Sequence, residues 1–331
     1  MRRRIYPWSV ALVFAWGGLL AAATVEEAAK KEGQLVLYGT TAVDHQAKIT
    51  ESFTRKYPFI RVDNFRGNSE RVLNRTLTEG RTGAYLVDVI NIDGPNGLVL
   101  KERGYLQPYK SKETESFPEQ FRDPEGFLPC CLQVTTSVIG YNTKLVPKSE
   151  APRSFHDLLD AKWKRKIGID GDSSEWFAAL MHIWGKEKTV DFFRGLVQQE
   201  PSKHRGRTLL AQMLAAGEFP VVAELFGYRV LEFQERGAPV EIVNADPVVA
   251  RPWHLLLASK APHPNTAKLY IDYLLSVEGQ QLMAGLGRVV VRPGVKQKYP
   301  RLVEGVKLYP AKPEPAKSYE EIAKLYYSIV K

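Results

Sequence analysis

The chain has 331 residues, with 46 Lys and Arg against 37 Asp and Glu, and its formal net charge of +9 falls to +6 without the arginines at positions 2–4. Basic and acidic residues are interspersed, as at 30–32, 101–103 and 186–188, which is typical of solvated helix faces and argues against a nucleic-acid-binding surface. Beyond its amino-terminal segment, the chain is long enough for two α/β lobes with a substantial core.

The first 23 residues have the pattern of an export signal. Three arginines precede an uncharged apolar run, Val10 to Ala23, which is short for a membrane span and ends in the small residues that signal peptidase requires. We expect cleavage near Ala23 and secretion into the periplasm of a bacterium with an outer membrane; an uncleaved anchor is the alternative. Since no Cys stands at the cleavage site, the sequence predicts a mature protein without a lipid anchor.

Apolar periodicity predicts alternating strands and helices over the first hundred residues. An amphipathic start at 25–31 precedes a buried strand at 35–38, a helix carrying Ile49 and Phe53, and a second strand at Ile60 and Val62. Ser69 can cap the next helix, a third strand covers 87–92, and a helix then ends at Gly104. This order predicts a mostly parallel sheet, covered on both faces, with ligands outside the carboxyl ends of its strands.

A second α/β series follows. Strands are predicted at 138–141, 167–169, 220–225, 240–243 and 254–258, and helices at 174–184, 187–198, 209–214 and 228–236. Near the end, Asn265 or Thr266 is expected to cap a helix that carries Ile271 and Leu275, and Ser276 a second short helix. The only cysteines, Cys130 and Cys131, are adjacent, so they are either small packing residues or a strained vicinal disulfide.

Five runs, taken in chain order, resemble the periplasmic solute-binding proteins of ABC importers, in the group that contains the ferric-ion binders. They are Tyr141–Pro147, Asp157–Lys164, Gly237–Glu241, Ala258–Gln281 and Val290–Val295. The resemblance extends from about Gly33 to Val295, and ordered motifs of this length are more specific than one short pattern. It implies an α/β fold of the periplasmic binding protein-like type II class, with two α/β lobes and a hinged ligand cleft.

The resemblance also implies how such a protein works. A monomeric receptor closes its lobes on a small solute by a hinge motion and delivers it to an ABC transporter permease, with no resident cofactor. For this chain it implies a first lobe at 24–107 plus 250–290 and a second at 108–249 plus 291–331. The crossings between them are expected near Leu106–Tyr109, Leu132–Val138 and Asp246–Pro252.

In the ferric binders, the metal is held by two adjacent tyrosines, an acidic residue after the third strand and a histidine after the first. By this resemblance Tyr228 matches the second tyrosine and Asp93 the acid, so these two are the candidate metal ligands. Gly227 replaces the first tyrosine and Ala42 the histidine, with His45 one turn further on. Fe(III) prefers several anionic oxygens, so tight iron binding is not expected; iron held weakly or with an anion, and a small organic anion, remain the two candidate solutes.

Glu224 follows a buried strand, where an ionised carboxylate needs a partner. That partner is either a cation in the cleft or an internal arginine, Arg229 or Arg251. Ser173 and Ser174 begin a helix, where backbone N–H groups and hydroxyls suit an anionic group, although simple capping explains them equally well.

Five hydroxyl residues are expected in loops that face the cleft. They are Thr40, Thr41, Thr135, Thr136 and Ser137. The resemblance implies arginines near Thr135 and Ser137 that are absent here, and Arg251 can compensate for them. The sequence therefore predicts a ligand-binding set of Thr40, Thr41, Asp93, Thr135, Thr136, Ser173, Ser174, Glu224, Tyr228 and Arg251.

An enzyme on the same fold is one alternative, since the fold does not dictate the activity. The six histidines lack metal-ligand spacing, no Ser sits in a nucleophile elbow, and no base lies beside the cysteines in sequence, so no catalytic residues are predicted. A sensor that presents its closed form to a membrane receptor kinase is the other alternative, and the sequence does not separate it from a transport receptor.

Overall fold

The computed structural model describes residues 25–129, 131–313 and 316–330, so the predicted export signal and Cys130 lie outside the described residues. The helices are 25–32 (α1), Val43–Lys56 (α2), Ser69–Arg81 (α3), Gly94–Glu102 (α4), Ser174–Trp184 (α5), Lys186–Gln198 (α6), Arg207–Ala216 (α7), Gly227–Glu235 (α8), Pro264–Leu275 (α9), Val277–Gly285 (α10) and Ala316–Val330 (α11). The strands are Gln34–Gly39 (β1), Arg61–Arg66 (β2), Val89–Asp93 (β3), Gln133–Asn142 (β4), Ile167–Asp170 (β5), Ser202–His204 (β6), Val221–Phe226 (β7), Val240–Val243 (β8), Val248–Leu257 (β9) and Leu308–Pro310 (β10).

Two ten-residue strands, β4 and β9, connect the two halves of the molecule. The carboxyl-terminal half of β9 pairs with β3 on the first side, and the carboxyl-terminal half of β4 pairs with β7 and β8 on the second. Between these regions the two strands pair with each other, from Gln133 opposite Trp253 to Thr136 opposite Ala250. The crossings expected near Leu132–Val138 and Asp246–Pro252 coincide with this central pairing.

The strand order β2-β1-β3-β9-β4-β7-β5-β6 gives each lobe a parallel part with one antiparallel crossover strand. The second lobe has a core rich in aromatic side chains, in which Phe155, Trp176 and Phe192 pack together. Helix α11 covers α5 and α6, and its Tyr326 ring contacts Phe177. Asp93 at the carboxyl end of β3 lies opposite Trp253, and Phe226 at the carboxyl end of β7 lies opposite Ser137, so the carboxyl ends of both strands reach the central pairing between the lobes.

The segment after α4 packs on the first lobe, contrary to the crossing expected near Leu106–Tyr109. Leu106 forms a bridge with Ala258, and the Tyr109 hydroxyl donates to Asp272 in α9 at 2.8 Å. Further along, Arg292 binds Glu113 at 2.9 Å. The resemblance gives the position of this crossing only approximately, and the contacts of Leu106 and Tyr109 favour a crossing nearer to β4. We propose that residues 108–131 are part of the first lobe.

Two helix caps differ from the sequence predictions. Asn68, not Ser69, caps α3 by accepting from the Arg71 N–H at 2.9 Å. The first turn of α9 is held by a residue far away in sequence, because the Glu32 carboxylate accepts from the Thr266 N–H at 2.7 Å and from Asn265 Nδ2 at 2.7 Å. Ser276 caps α10 as predicted, through Gly279 N–H.

Candidate functional site

Glu224, at the end of β7, is 2 % exposed and is held by two arginines. Arg207 Nε lies 2.5 Å from its Oε2 and Arg251 Nη2 lies 2.5 Å from its Oε1. The Ser137 and Ser173 hydroxyls donate to the same carboxylate at 2.8 and 3.2 Å. Burial raises the pKa of Glu224, but the two guanidinium groups outweigh it and lower the pKa to about 2.

The internal partner foreseen for Glu224 is therefore present, and it is Arg251 rather than Arg229, which binds Glu232 at 2.5 Å. Arg207 also approaches Asp170, at 3.6 Å. Two arginines thus face two buried carboxylates, so this part of the site is electrically balanced without a bound ion.

The start of α5 is occupied by tyrosines of α11. The Tyr326 hydroxyl accepts from the Ser173 N–H at 3.1 Å and donates to the Asp170 carbonyl at 2.9 Å, and the Tyr319 hydroxyl lies 2.9 Å from Ser174 Oγ. Ser173 and Ser174 are both buried, and their hydroxyls are bonded within the protein. The structure therefore favours the internal interpretation of these serines over direct contact with a solute.

Two of the three guanidinium nitrogens of Arg251 have no hydrogen-bond partner within the described part of the chain. Its Nη2 is bonded to Glu224 and Ser137, whereas Nε and Nη1 have no hydrogen-bond partner among the described residues. The Glu175 carboxylate of α5 lies 3.9 Å from Nε. The residue is only 8 % exposed, and burial, followed by the charge of Arg207, lowers the pKa of Arg251. A buried guanidinium with two unpaired donors is costly unless an acceptor is supplied.

A cavity of about 40 Å³ lies beside these donors, between the lobes. It is lined by Asp93, Gly94 and Pro95 of the first lobe, Glu175 and Ala178 of the second, Arg251 and Pro252 of β9, and Ala311, Lys312, Pro313 and Tyr319 of the carboxyl-terminal segment. The predicted residues Asp93 and Arg251 thus meet at one place.

Asp93 and the threonines of the first lobe lie at the carboxyl ends of β1 and β3. Asp93 caps α4 by accepting from the Asn96 N–H at 3.0 Å. Thr41 Oγ1 lies 3.2 Å from Asn91 Oδ1, and Asn91 in turn donates to the His254 carbonyl at 2.9 Å. Thr40 is half-buried next to Thr41. These side chains are positioned by the strand ends, as the alternating order predicts.

Thr135, Thr136 and Ser137 are not in a loop, as the sequence analysis expects, but inside β4, where all three are buried. Thr135 lies opposite Arg251 in the pairing of β4 with β9. Thr136 Oγ1 has no hydrogen-bond partner within the described part of the chain. The sequence analysis predicts a loop here because the three residues are polar. They lie instead in a crossover strand, whose polar groups point inward, toward the hinge.

Tyr228 is buried in the first turn of α8, and cationic side chains lie over its ring. The guanidinium carbons of Arg229 and Arg288 lie 5.2 and 5.0 Å from the ring centroid. Arg288 also contacts His45 Nδ1 at 3.0 Å, and burial, followed by the charge of Arg288, lowers the pKa of His45. Tyr228 does not line the cavity that Asp93 lines. In the described ranges, no three His, Cys, Asp or Glu side chains are grouped to hold a metal ion.

Three comparisons with known proteins agree with this architecture. The family model described as bacterial extracellular solute-binding protein matches residues 87–305. The chain belongs to this family. Its members bind solutes for ABC import, and this chain has the two-lobe fold of periplasmic binding proteins.

Individual relatives are distant. The iron uptake protein A1 of Synechocystis is 24 % identical over 282 residues, which cover 79 % of this chain and 76 % of that protein. A Trichodesmium protein, IdiA or FutA, solved with iron and citrate, has a TM-score of 0.76 at 22 % identity, covering 89 % of this chain and 99 % of its own. AfuA of Actinobacillus pleuropneumoniae, solved with fructose-6-phosphate, has a TM-score of 0.69 at 22 % identity, covering 89 % and 96 %.

Several residues of this candidate site are absent from the sequence prediction. They are Arg207, Glu175, Phe226, Tyr319 and Arg288. Phe226 stands out, because its ring has Arg207 and Arg251 at 5.0 and 5.3 Å from its centroid. For Tyr319 a signal exists, since Ile322, Leu325 and Ile329 have the helical spacing that reveals α11.

A second, larger cavity of about 840 Å³ contains none of the ten predicted ligand-binding residues. It lies among Phe121, the α5 residues Ala179 and Ile183, and the chain segments 290–297 and 303–312.

None of the helices in the described ranges has the length and apolar content needed to cross a membrane. Cys131 is buried in the core, and its pairing with Cys130 is not tested because Cys130 is outside the described residues.

Proposed function

We propose that the protein is a periplasmic receptor that captures a small organic anion between its lobes and delivers it to the permease of an ABC transporter. The single observation that carries the anion is Arg251, whose Nε and Nη1 are buried at the hinge with no acceptor among the described residues. An anion supplies that acceptor, and charge-assisted hydrogen bonds to a guanidinium are among the stronger ones. Family membership supports a transport receptor over the enzyme alternative.

Lobe closure follows from the position of the arginine. Arg251 belongs to β9, which pairs with β3 of the first lobe and with β4 at the hinge. An anion bound to Arg251 therefore contacts the hinge. A solute favours closure only by the amount that it binds the closed form more tightly than the open form. Delivery to a permease and the periplasmic location are part of the proposal and rest on the family.

The test combines thermal unfolding with small-angle scattering. Small carboxylates, phosphonates, sugar phosphates, polyamines and ferric citrate are added to the mature protein. A ligand at 100 times its Kd adds about 2.7 kcal/mol to the unfolding free energy, and a rise of roughly 5 °C or more in Tm is the corresponding result. At least one organic anion is expected to give this rise and to reduce the radius of gyration; no response in any class contradicts the receptor.

Arg251→Gln is expected to weaken binding of the active anion by about 10- to 100-fold, since hydrogen bonds to a charged group contribute about 1.5–3 kcal/mol. Glu224 keeps Arg207 in this variant, so the fold is retained. Titration calorimetry measures the change, with Arg61→Gln, an exposed arginine of β2, as the control that leaves affinity unchanged. Undiminished affinity in Arg251→Gln contradicts the assignment of the anion to this arginine.

Any iron that binds is expected to do so without a tyrosine phenolate as a ligand. Tyr228 has two guanidinium groups over its ring, which repel a trivalent cation, and it does not line the cavity that Asp93 lines. Iron-loaded wild type is therefore expected to show no visible phenolate-to-iron absorption band, and Tyr228→Phe to leave the spectrum unchanged. A strong band in wild type that is lost in Tyr228→Phe contradicts this expectation and restores iron as the solute.

A further inference from the structure

Two carboxylates at the interlobe cavity have no close cation within the described part of the chain. Glu224 and Asp170 are already matched by Arg207 and Arg251. Asp93 and Glu175 remain: Asp93 forms no ion pair within the described ranges, and Glu175 has only Arg251 Nε, at 3.9 Å. Lys312 lines the same cavity from an exposed position, and it forms no ion pair within 4.0 Å among the described residues.

The charges around Glu175 also show a lack of positive charge at the cavity. Burial raises the pKa of the Glu175 carboxyl, Arg251 opposes this effect, and the charge of Asp93 adds to it. The Glu175 side chain is 37 % exposed, so solvent screens part of this imbalance between one arginine and two carboxylates. A cation placed between Asp93 and Glu175 removes that imbalance.

We infer that the cavity receives the ammonium group of a zwitterionic solute, with Asp93 and Glu175 on the ammonium and Arg251 on the anionic group of the same molecule. The inference rests on the proposed function and names the kind of anion that the receptor takes. The cavity volume of about 40 Å³ is the space of about three water molecules, at roughly 10–15 Å³ for each, so it holds the charged groups that Asp93, Glu175 and Arg251 contact and not a whole solute.

The two carboxylates come from different lobes, which gives the ammonium a role in closure. Asp93 ends β3 of the first lobe, and Glu175 lies in the first turn of α5 in the second. Without a cation, closure brings two negative charges together, and like charges at short range repel. A bound ammonium turns this repulsion into two attractions that exist only when the lobes meet, so it favours the closed form.

The test uses pairs of solutes that differ only in the amine. The pairs are 3-aminopropanoate with propanoate, 4-aminobutanoate with butanoate, and 2-aminoethylphosphonate with ethylphosphonate, each titrated calorimetrically into the mature full-length protein. In at least one pair, the amine-bearing member is expected to bind at least 10-fold more tightly. Equal or tighter binding by the amine-free members overturns the inference.

Variants separate an ammonium contact from a structural role. Glu175→Gln and Asp93→Asn are each expected to remove most of the amine preference, because the affinity for the amine-bearing member falls toward that for the amine-free member; Asn at position 93 still caps α4. Glu187→Gln, an exposed first-turn glutamate of α6, is the matched control and keeps the preference. Retention of the preference in both cavity variants overturns the inference.

The failure of the inference differs from the failure of the proposed function. Binding of the amine-free anions with no preference for the amine removes only the zwitterion and leaves an anion receptor. If no member of any pair gives binding heat or compacts the protein, both the inference and the proposed function are contradicted. Binding of ethylammonium, added alone as a further probe, without binding of any anion also contradicts both, since it assigns the site to a simple cation.

Discussion

Replacement of Glu224 with Gln is expected to lower the free energy of unfolding by about 3–5 kcal/mol, the usual cost of removing one partner from a buried ion pair. The carboxylate is the shared partner of Arg207 and Arg251, at 2.5 Å from each. Gln accepts at most one of these contacts and carries no charge. Within the described ranges, the two buried guanidinium groups then keep only Asp170, 3.6 Å from Arg207, and the more exposed Glu175, 3.9 Å from Arg251. Urea unfolding at pH 7 measures the difference.

Glu200→Gln is the matched control for this change. Glu200 is likewise held by two cations, Lys164 at 2.9 Å and Arg165 at 2.6 Å, but its side chain is 45 % exposed. Exposed ion pairs contribute about 0–1 kcal/mol, so the control is expected to lose no more than that. Equal losses in the two variants contradict the view that burial makes the Glu224 cluster important for stability.

The pH dependence gives a second measure of the same cluster. The pKa of Glu224 is about 2 in the folded state, against an ordinary 4.5, so its contribution is fully present above pH 4.5 and is lost as the pH falls toward 2. A depression of this size corresponds to about 3 kcal/mol. The unfolding free energies of wild type and Glu224→Gln are therefore expected to converge as the pH falls from 4.5; a constant gap over that range contradicts the assignment.

Much of the regular structure can be predicted from periodicity, because each lobe is an alternation of strands and helices with clear apolar faces. The exceptions are the short strands β6 and β10, helix α11 and the two crossover strands. Only 254–258 of β9 is predicted, since Arg251 and Pro252 interrupt the apolar run, and only 138–141 of β4, since Thr135 to Ser137 are polar. These polar residues are buried because they face the hinge, where the site requires hydrogen-bonding groups.

The candidate site is harder to predict because its contacts are remote in sequence. Arg251 and Glu224 can be selected as a charged pair in buried surroundings, but nothing in the sequence places Arg207, Tyr319 or Tyr326 beside them. The Tyr326 hydroxyl bonds Ser173 across 153 positions of the chain. An N-cap motif such as that of Ser173 and Ser174 is therefore ambiguous until the partners that α11 brings are known.

The missing first tyrosine of the ferric binders makes position 227 decisive for the iron question. A Cβ atom on Gly227 would lie 2.5 Å from Leu302, 2.9 Å from Thr136 Oγ1 and 3.2 Å from Val138. Its side-chain direction thus points into packed structure of the second lobe and the hinge. Glycine is needed here for space, and a tyrosine cannot present its phenol to the cleft from this position without moving its neighbours.

Gly227→Ala is therefore expected to cost about 1–3 kcal/mol of unfolding free energy, the range for overpacking in a core, and Gly227→Tyr to cost more and to create no iron-phenolate band. Gly285→Ala is the control: it is also a helical glycine, its added Cβ meets no atom within 4 Å, and it is expected to be neutral or stabilising by up to about 1 kcal/mol. Denaturant unfolding and visible spectra with ferric citrate test both. A stable Gly227→Tyr protein that turns coloured with iron contradicts the packing argument, because the cleft then accepts a tyrosine pair after all.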